Sequence, residues 1–140
     1  MFYGQSEHNI DSKGRLFIPN KFKGMLSDGL TLSFGVDKVL NIMTAADWEE
    51  YEKETTERLQ ITRDRDSLRR LFGFSTKTSM DAQGRISIPD NYLKYAGITD
   101  KAVMVGCGRK IEIWSAESWK AYTDNLNFGD IAESLESYGL

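Results

Sequence analysis

A nine-residue phrase occurs twice in this chain, seventy positions apart, and that repetition constrains the fold more than any other feature. Asp11-Ser12-Lys13-Gly14-Arg15-Leu16-Phe17-Ile18-Pro19 returns as Asp81-Ala82-Gln83-Gly84-Arg85-Ile86-Ser87-Ile88-Pro89. Each copy sets out a turn former (Asp-x-x-Gly), a cation, an alternating strand, and a proline that forces the chain out of that strand. Each arginine therefore stands at a turn–strand junction.

The residues around the phrase repeat as well. Gly4 to Ile10 reads as a strand that makes a hairpin-like element with Arg15 to Ile18. Pro19 then suits the first turn of a short helix with Phe22 and Leu26 inward and Gly29 at its end. Leu30–Phe34 and Val39–Met43 form a hairpin around Gly35-Val36-Asp37-Lys38. Thr44 with Asp47 signals a helix start, followed by Trp48 and Tyr51 at helical spacing, and a second helix spans about Asp64 to Phe72. The second half replays this order: a strand within Phe74–Met80, the second phrase, a helix Asp90–Ala96 stopped by Gly97, and a hairpin of Ala102–Val105 with Lys110–Trp114. Leu40 to Tyr51 aligns with Ile111 to Tyr122 after one residue of offset, and Asn127 to Tyr138 supplies a last helix.

These halves, residues 1–73 and 74–140, are expected to form one compact unit, because neither has a second layer to cover its own strands. The expected class is α+β. Two tandem pseudo-symmetric repeats would close one small β-barrel with peripheral helices, which places both arginines on one surface.

Composition narrows the function classes. With 40% apolar and 28% charged residues and no long apolar run, the chain reads as soluble, with no membrane partner. The start of the chain lacks the pattern of a signal peptide, so a cytoplasmic location is expected. Net charge is −3, but residues 1–23 hold four cations against two acids, whereas 117–140 hold one against five. A locally basic edge on an acidic protein fits a polyanion only through several copies acting together. Cys107 stands alone and reads as a small buried hydrophobe, and His8 has no matching nucleophile. Neither makes a zinc site, and no metal, cofactor or small-molecule substrate is expected. Gly106-x-Gly108 lies between two strands and reads as a hairpin turn rather than a dinucleotide loop. Trp48 and Trp119 read as core anchors.

The arginines remain. Arg15 and Arg85 each follow a glycine, Gly14 or Gly84, which lets a partner's backbone approach, and a guanidinium there can fork onto guanine O6 and N7 or onto phosphate. Lys13 and Gln83 in the same turns join this candidate DNA-contacting set, with Lys21, Lys23, Lys77 and Lys94 as candidate backbone contacts. Asp11 and Asp81 shape the turns. Two readings of the Asp–Arg pairs stand side by side here: a brace within the turn, or an aspartate that aims an arginine at a base.

The two phrases, with Tyr95-Ala96-Gly97, Glu112-Ile113-Trp114, Trp119 and Tyr122, resemble bacterial MraZ transcriptional regulators over the whole chain. A single Gly-Arg-x-x-Ile-Pro is similar to the wider AbrB-like swapped-hairpin family, in which two chains build one barrel; the tandem copy points to MraZ, where one chain carries both halves. The resemblance implies a sequence-specific DNA-binding regulator, mainly a repressor, of the division and cell wall gene cluster, associated with the nucleoid. It further implies a ring-shaped homo-oligomer on guanine-rich direct repeats, and a DNA-reading Asp-x-x-x-Arg element that maps to Asp11–Arg15 and Asp81–Arg85. Two other classes are weighed against it. One is an oligomeric protein-interaction scaffold using the acidic C-terminal face; the other is a barrel-fold enzyme, disfavoured by the missing nucleophile, base and metal constellation.

Overall fold

The computed structural model describes residues 1–140. Its elements run β1 (Gln5–Asn9), β2 (Arg15–Phe17), α1 (Asn20–Lys23) continued by a 3-10 turn Gly24–Leu26, β3 (Leu30–Phe34), β4 (Leu40–Thr44), α2 (Ala45–Thr62) and α3 (Arg65–Gly73). The second half has β5 (Thr76–Thr78), β6 (Arg85–Ser87), α4 (Asp90–Ala96), β7 (Lys101–Gly106), β8 (Lys110–Ser115), α5 (Ala116–Asp124) and α6 (Phe128–Ser137). The chain is therefore α+β, and the repeated unit of strand, strand, short helix, hairpin and two helices is present in both halves.

Local chemistry sets most of the boundaries. Pro19 and Pro89 take extended ψ values of 141° and 150° and stand immediately before α1 and α4, where no N–H is missed. Thr44 caps α2 by accepting from the Asp47 N–H at 3.1 Å, and Ser115 caps α5 by accepting from the Ser118 N–H at 3.0 Å. The Asp64 carboxylate does the same for α3, taking the Ser67 N–H at 2.9 Å.

Strand pairing departs from the sequence expectation. β1 and β2 do not form a hairpin: β1 pairs antiparallel with β7, and β2 pairs antiparallel with β6. Six strands make one sheet in the order β1-β7-β8-β4-β3-β5, while β2 and β6 make a separate ribbon. The order is palindromic when halves are exchanged, so each half's first strand borders the other half's third strand. The expected barrel does not close. β1 and β5 remain the two edges of an open sheet, because the prolines end β2 and β6 after three residues, too short a run to join those edges.

The ribbon closes over the core through its alternate residues. Leu16, Ile18, Phe22 and Leu26 from the first half meet their counterparts Ile86, Ile88, Tyr92 and Ala96 from the second, together with Leu32, Ile42, Met104 and Ile113 of the sheet. Leu16 and Ile86 face one another in the ribbon and are 0% and 1% exposed. Truncating either to alanine removes packing shared by both halves. We expect Leu16→Ala and Ile86→Ala each to lower unfolding free energy by about 2–5 kcal/mol, read from the urea midpoint at unchanged slope.

Candidate nucleic-acid interface

Both turns are built the same way. In the first, Asp11 Oδ1 accepts the backbone N–H groups of Lys13 and Arg15 at 2.9 Å each, and Oδ2 accepts Arg15 Nε–H at 2.6 Å. In the second, Asp81 Oδ1 accepts from Gln83 and Arg85 N–H at 2.9 Å each, and Oδ2 accepts Arg85 Nε–H at 2.8 Å. Gly14 and Gly84 close the turns with φ of +74° and +79°, a region that L side chains rarely adopt. A side chain at Gly14 would also meet the Ile88 carbonyl oxygen. Glycine at these two positions is therefore required by backbone geometry, which is a separate matter from access for a partner.

The turns are tied to each other across the halves. Ile18 N–H donates to the Gly84 carbonyl at 2.9 Å, and Ile88 N–H donates to the Gly14 carbonyl at 2.8 Å. The register Arg15↔Ser87, Leu16↔Ile86, Phe17↔Arg85 then puts Arg15 and Arg85 at opposite ends of the ribbon, on the face turned away from Leu16 and Ile86. Their Cα atoms are offset by about 7 Å along the strands and about 5 Å across them.

This geometry joins the two readings left open by the sequence. Each guanidinium is held through Nε by its own aspartate, and neither Nη1 nor Nη2 has an intramolecular partner. The end-on fork of two Nη groups stays available for a planar acceptor pair such as guanine O6/N7 or a phosphate. The arginines are not freely exposed: their side chains are 30% and 18% accessible at Arg15 and Arg85. Lys13 and Gln83 are exposed beside them.

The other candidates fall in different places. The Lys23 side chain lies against Gly84, reaching the second turn from the first half. Lys21 places its ammonium over the Phe22 ring at 5.1 Å. Lys77 sits on the sheet edge β5, and Lys94 is paired with Asp90 at 3.0 Å. His8 is half-buried and shares a 2.8 Å hydrogen bond with Ser6 Oγ; burial, and then the Lys21 charge, hold its pKa below the ordinary value. Cys107 is exposed in the β7–β8 turn rather than buried, and desolvation together with the Glu112 carboxylate pushes its thiol up to about 11. It is a poor nucleophile there. Trp48 is buried as expected, whereas Trp119 is only half-buried, in an aromatic group with Trp114 and Tyr122. Phe17 was not among the sequence candidates. The period-2 alternation that turns Leu16 inward turns Phe17 outward beside Arg85, and that was the available signal.

The family model described as "MraZ protein, putative antitoxin-like" matches residues 1–70 and again 71–136. A transcriptional regulator MraZ of Halothermothrix orenii is 38% identical over the whole of both chains. Those of Clostridium tetani and Alkaliphilus metalliredigens, named in the same words, are 38% and 36% identical, again over their whole length.

Hydrogen bonds from the arginine backbone N–H, followed by the arginine side chain, hold the Asp11 and Asp81 carboxyls below their ordinary pKa. A depressed carboxyl stabilises the fold fully above its unfolded pKa, and that contribution falls as pH drops below the unfolded value and is lost once pH passes the lowered one. Both arginine Nε–H signals should therefore stay protected from exchange in NMR spectra from neutral pH down past about 4, the usual carboxyl value, and lose protection only below it. Asp81→Asn should remove protection at Arg85 and leave Arg15 unchanged.

Proposed function

Because the chain belongs to the MraZ family, we propose that it is a sequence-specific DNA-binding regulator of transcription rather than an enzyme, and that it acts mainly as a repressor at the division and cell wall gene cluster. The observation that carries this is the pair of matching Asp–Arg latches on one ribbon, each holding its guanidinium through Nε and leaving both Nη groups without an intramolecular partner. A guanidinium pre-oriented in this way loses little freedom on contacting a base, and guanine is the base whose major-groove edge offers two adjacent acceptors. Lys13, Gln83 and Lys23 lie beside the latches as further polar contacts, while Gly14 and Gly84 keep the turns tight.

The same proposal includes the two repeats 1–73 and 74–140 acting as a single swapped-hairpin unit, and a ring-shaped homo-oligomer that reads several guanine-rich direct repeats. Cross-half strand pairing favours the first. The second is favoured by α6, whose Phe128, Ile131 and Leu135, with Tyr138 at its C-terminal cap, recur at helical spacing and are exposed. Repetition of weak basic ribbons around a ring also reconciles DNA binding with a net charge of −3. No helix is long and apolar enough to cross a membrane. A cytoplasmic, nucleoid-associated protein with no cofactor or small-molecule substrate is consistent with this role.

Arg15→Ala and Arg85→Ala should each weaken binding to duplex DNA with guanine-rich direct repeats by roughly 5- to 100-fold, the loss of one bidentate base contact. Circular dichroism and particle size should be unchanged. Wild-type affinity should fall linearly with salt on logarithmic axes. A double variant that shifts this DNA as well as the wild type does would overturn the assignment of the reading residues.

A further inference from the structure

The two ends of the ribbon differ in the residue that faces each arginine across the strands. Under exchange of the halves, Phe17 corresponds to Ser87, so Arg85 faces an aromatic ring across the strands while Arg15 faces a hydroxyl. The Arg85 guanidinium carbon lies 5.8 Å from the Phe17 ring centroid, within the range of a cation–π contact. Arg85 is correspondingly the less accessible of the two, although its aspartate latch is no shorter than that of Arg15.

Phe17 does nothing comparable for the core. It is 50% exposed in the middle of a polar face, whereas Leu16 and Ile18 on either side are buried. Leaving a phenyl ring half in water forgoes hydrophobic stabilisation, and the chain's own second copy manages the same position with serine. Neither folding of the ribbon nor the turn requires the ring.

We propose that Phe17 is a positioning residue for the DNA contact of Arg85. Asp81 restrains that guanidinium through Nε, and the Phe17 ring restrains it through its π face. Two restraints fix the plane of the fork where Arg15, with one, keeps more freedom. A planar bidentate contact loses less entropy when its plane is set in advance, so Arg85 becomes the tighter reader of the pair and the ribbon's two ends are not interchangeable. This rests on the assignment of Arg15 and Arg85 as DNA-reading residues.

The test is a double-mutant cycle on the full-length protein, with affinity for guanine-rich direct-repeat duplex measured by fluorescence anisotropy at fixed salt. Phe17→Ser should weaken binding about 3-fold, in line with an exposed cation–π contact, and Phe17→Tyr should retain wild-type affinity. In an Arg85→Ala background Phe17→Ser should have no further effect, while in an Arg15→Ala background the about 3-fold loss should persist. Ser87→Phe should give Arg15 a ring of its own and strengthen binding by a similar factor. The salt slope should not change, since no phosphate contact is lost. Equal losses from Phe17→Ser in both arginine backgrounds, or no loss in the wild type, would overturn the proposal. Failure of the underlying reading looks different: the Arg15→Ala/Arg85→Ala double variant would then bind like wild type with Phe17 in place. If Phe17→Ser lowers the melting temperature, the Phe17→Tyr and Ser87→Phe arms still decide the matter.

Discussion

The reciprocal pairing of the two Gly-Arg-x-x-Ile-Pro segments is the constraint on which the remaining structure depends. Each turn glycine offers its carbonyl to the isoleucine N–H of the other half, and Leu16 and Ile86 meet between them in the core. A strand of three residues has too few hydrogen bonds to persist alone. It persists here because its inward side chain joins a core that both halves supply. Once the ribbon is placed, the prolines direct α1 and α4 back across that core, and the Asp-x-x-Gly turns stand out at its two ends.

Partly exposed ion pairs contribute little to stability, so the Asp–Arg latches are better understood through geometry than through energy. Each aspartate spends one oxygen on two backbone N–H groups and the other on Nε, which ties the guanidinium to the turn rather than to a distant surface. Brace and aimed contact are then the same arrangement seen from the protein and from a ligand. The limited accessibility of the Arg15 and Arg85 side chains is compatible with this, because only the outer fork is needed for planar recognition.

Outside the ribbon the halves diverge. In the first, α3 returns and sets Phe72 at 6.1 Å, edge-on, against the buried Trp48. In the second, Trp114, Trp119 and Tyr122 pack on one another, and Phe128, Ile131 and Leu135 of α6, with Tyr138 at its cap, stay exposed. Sequence repetition therefore conserved the pairing layer while releasing the helical layer for different uses. The swap of Phe17 for Ser87 is a smaller divergence of the same kind within the ribbon itself.

What local chemistry specifies could be read from the sequence alone: the order of elements in both halves, the turns around Asp11 and Asp81, the proline exits, the cap at Thr44, and the pairing of each aspartate with its arginine four residues on. All of these act between residues close in the chain, where spacing determines contact. Which strands pair could not be read that way. A hairpin between β1 and β2 is the local solution, and the structure instead exchanges both strands between halves, leaving the sheet open where a barrel was expected. The exposure of Cys107, the partial exposure of Trp119 and the placement of Phe17 against Arg85 belong to the same class. Each depends on a neighbour contributed by another strand or another half, and partners distant in sequence are chosen by the burial of the whole core rather than by any short-range preference.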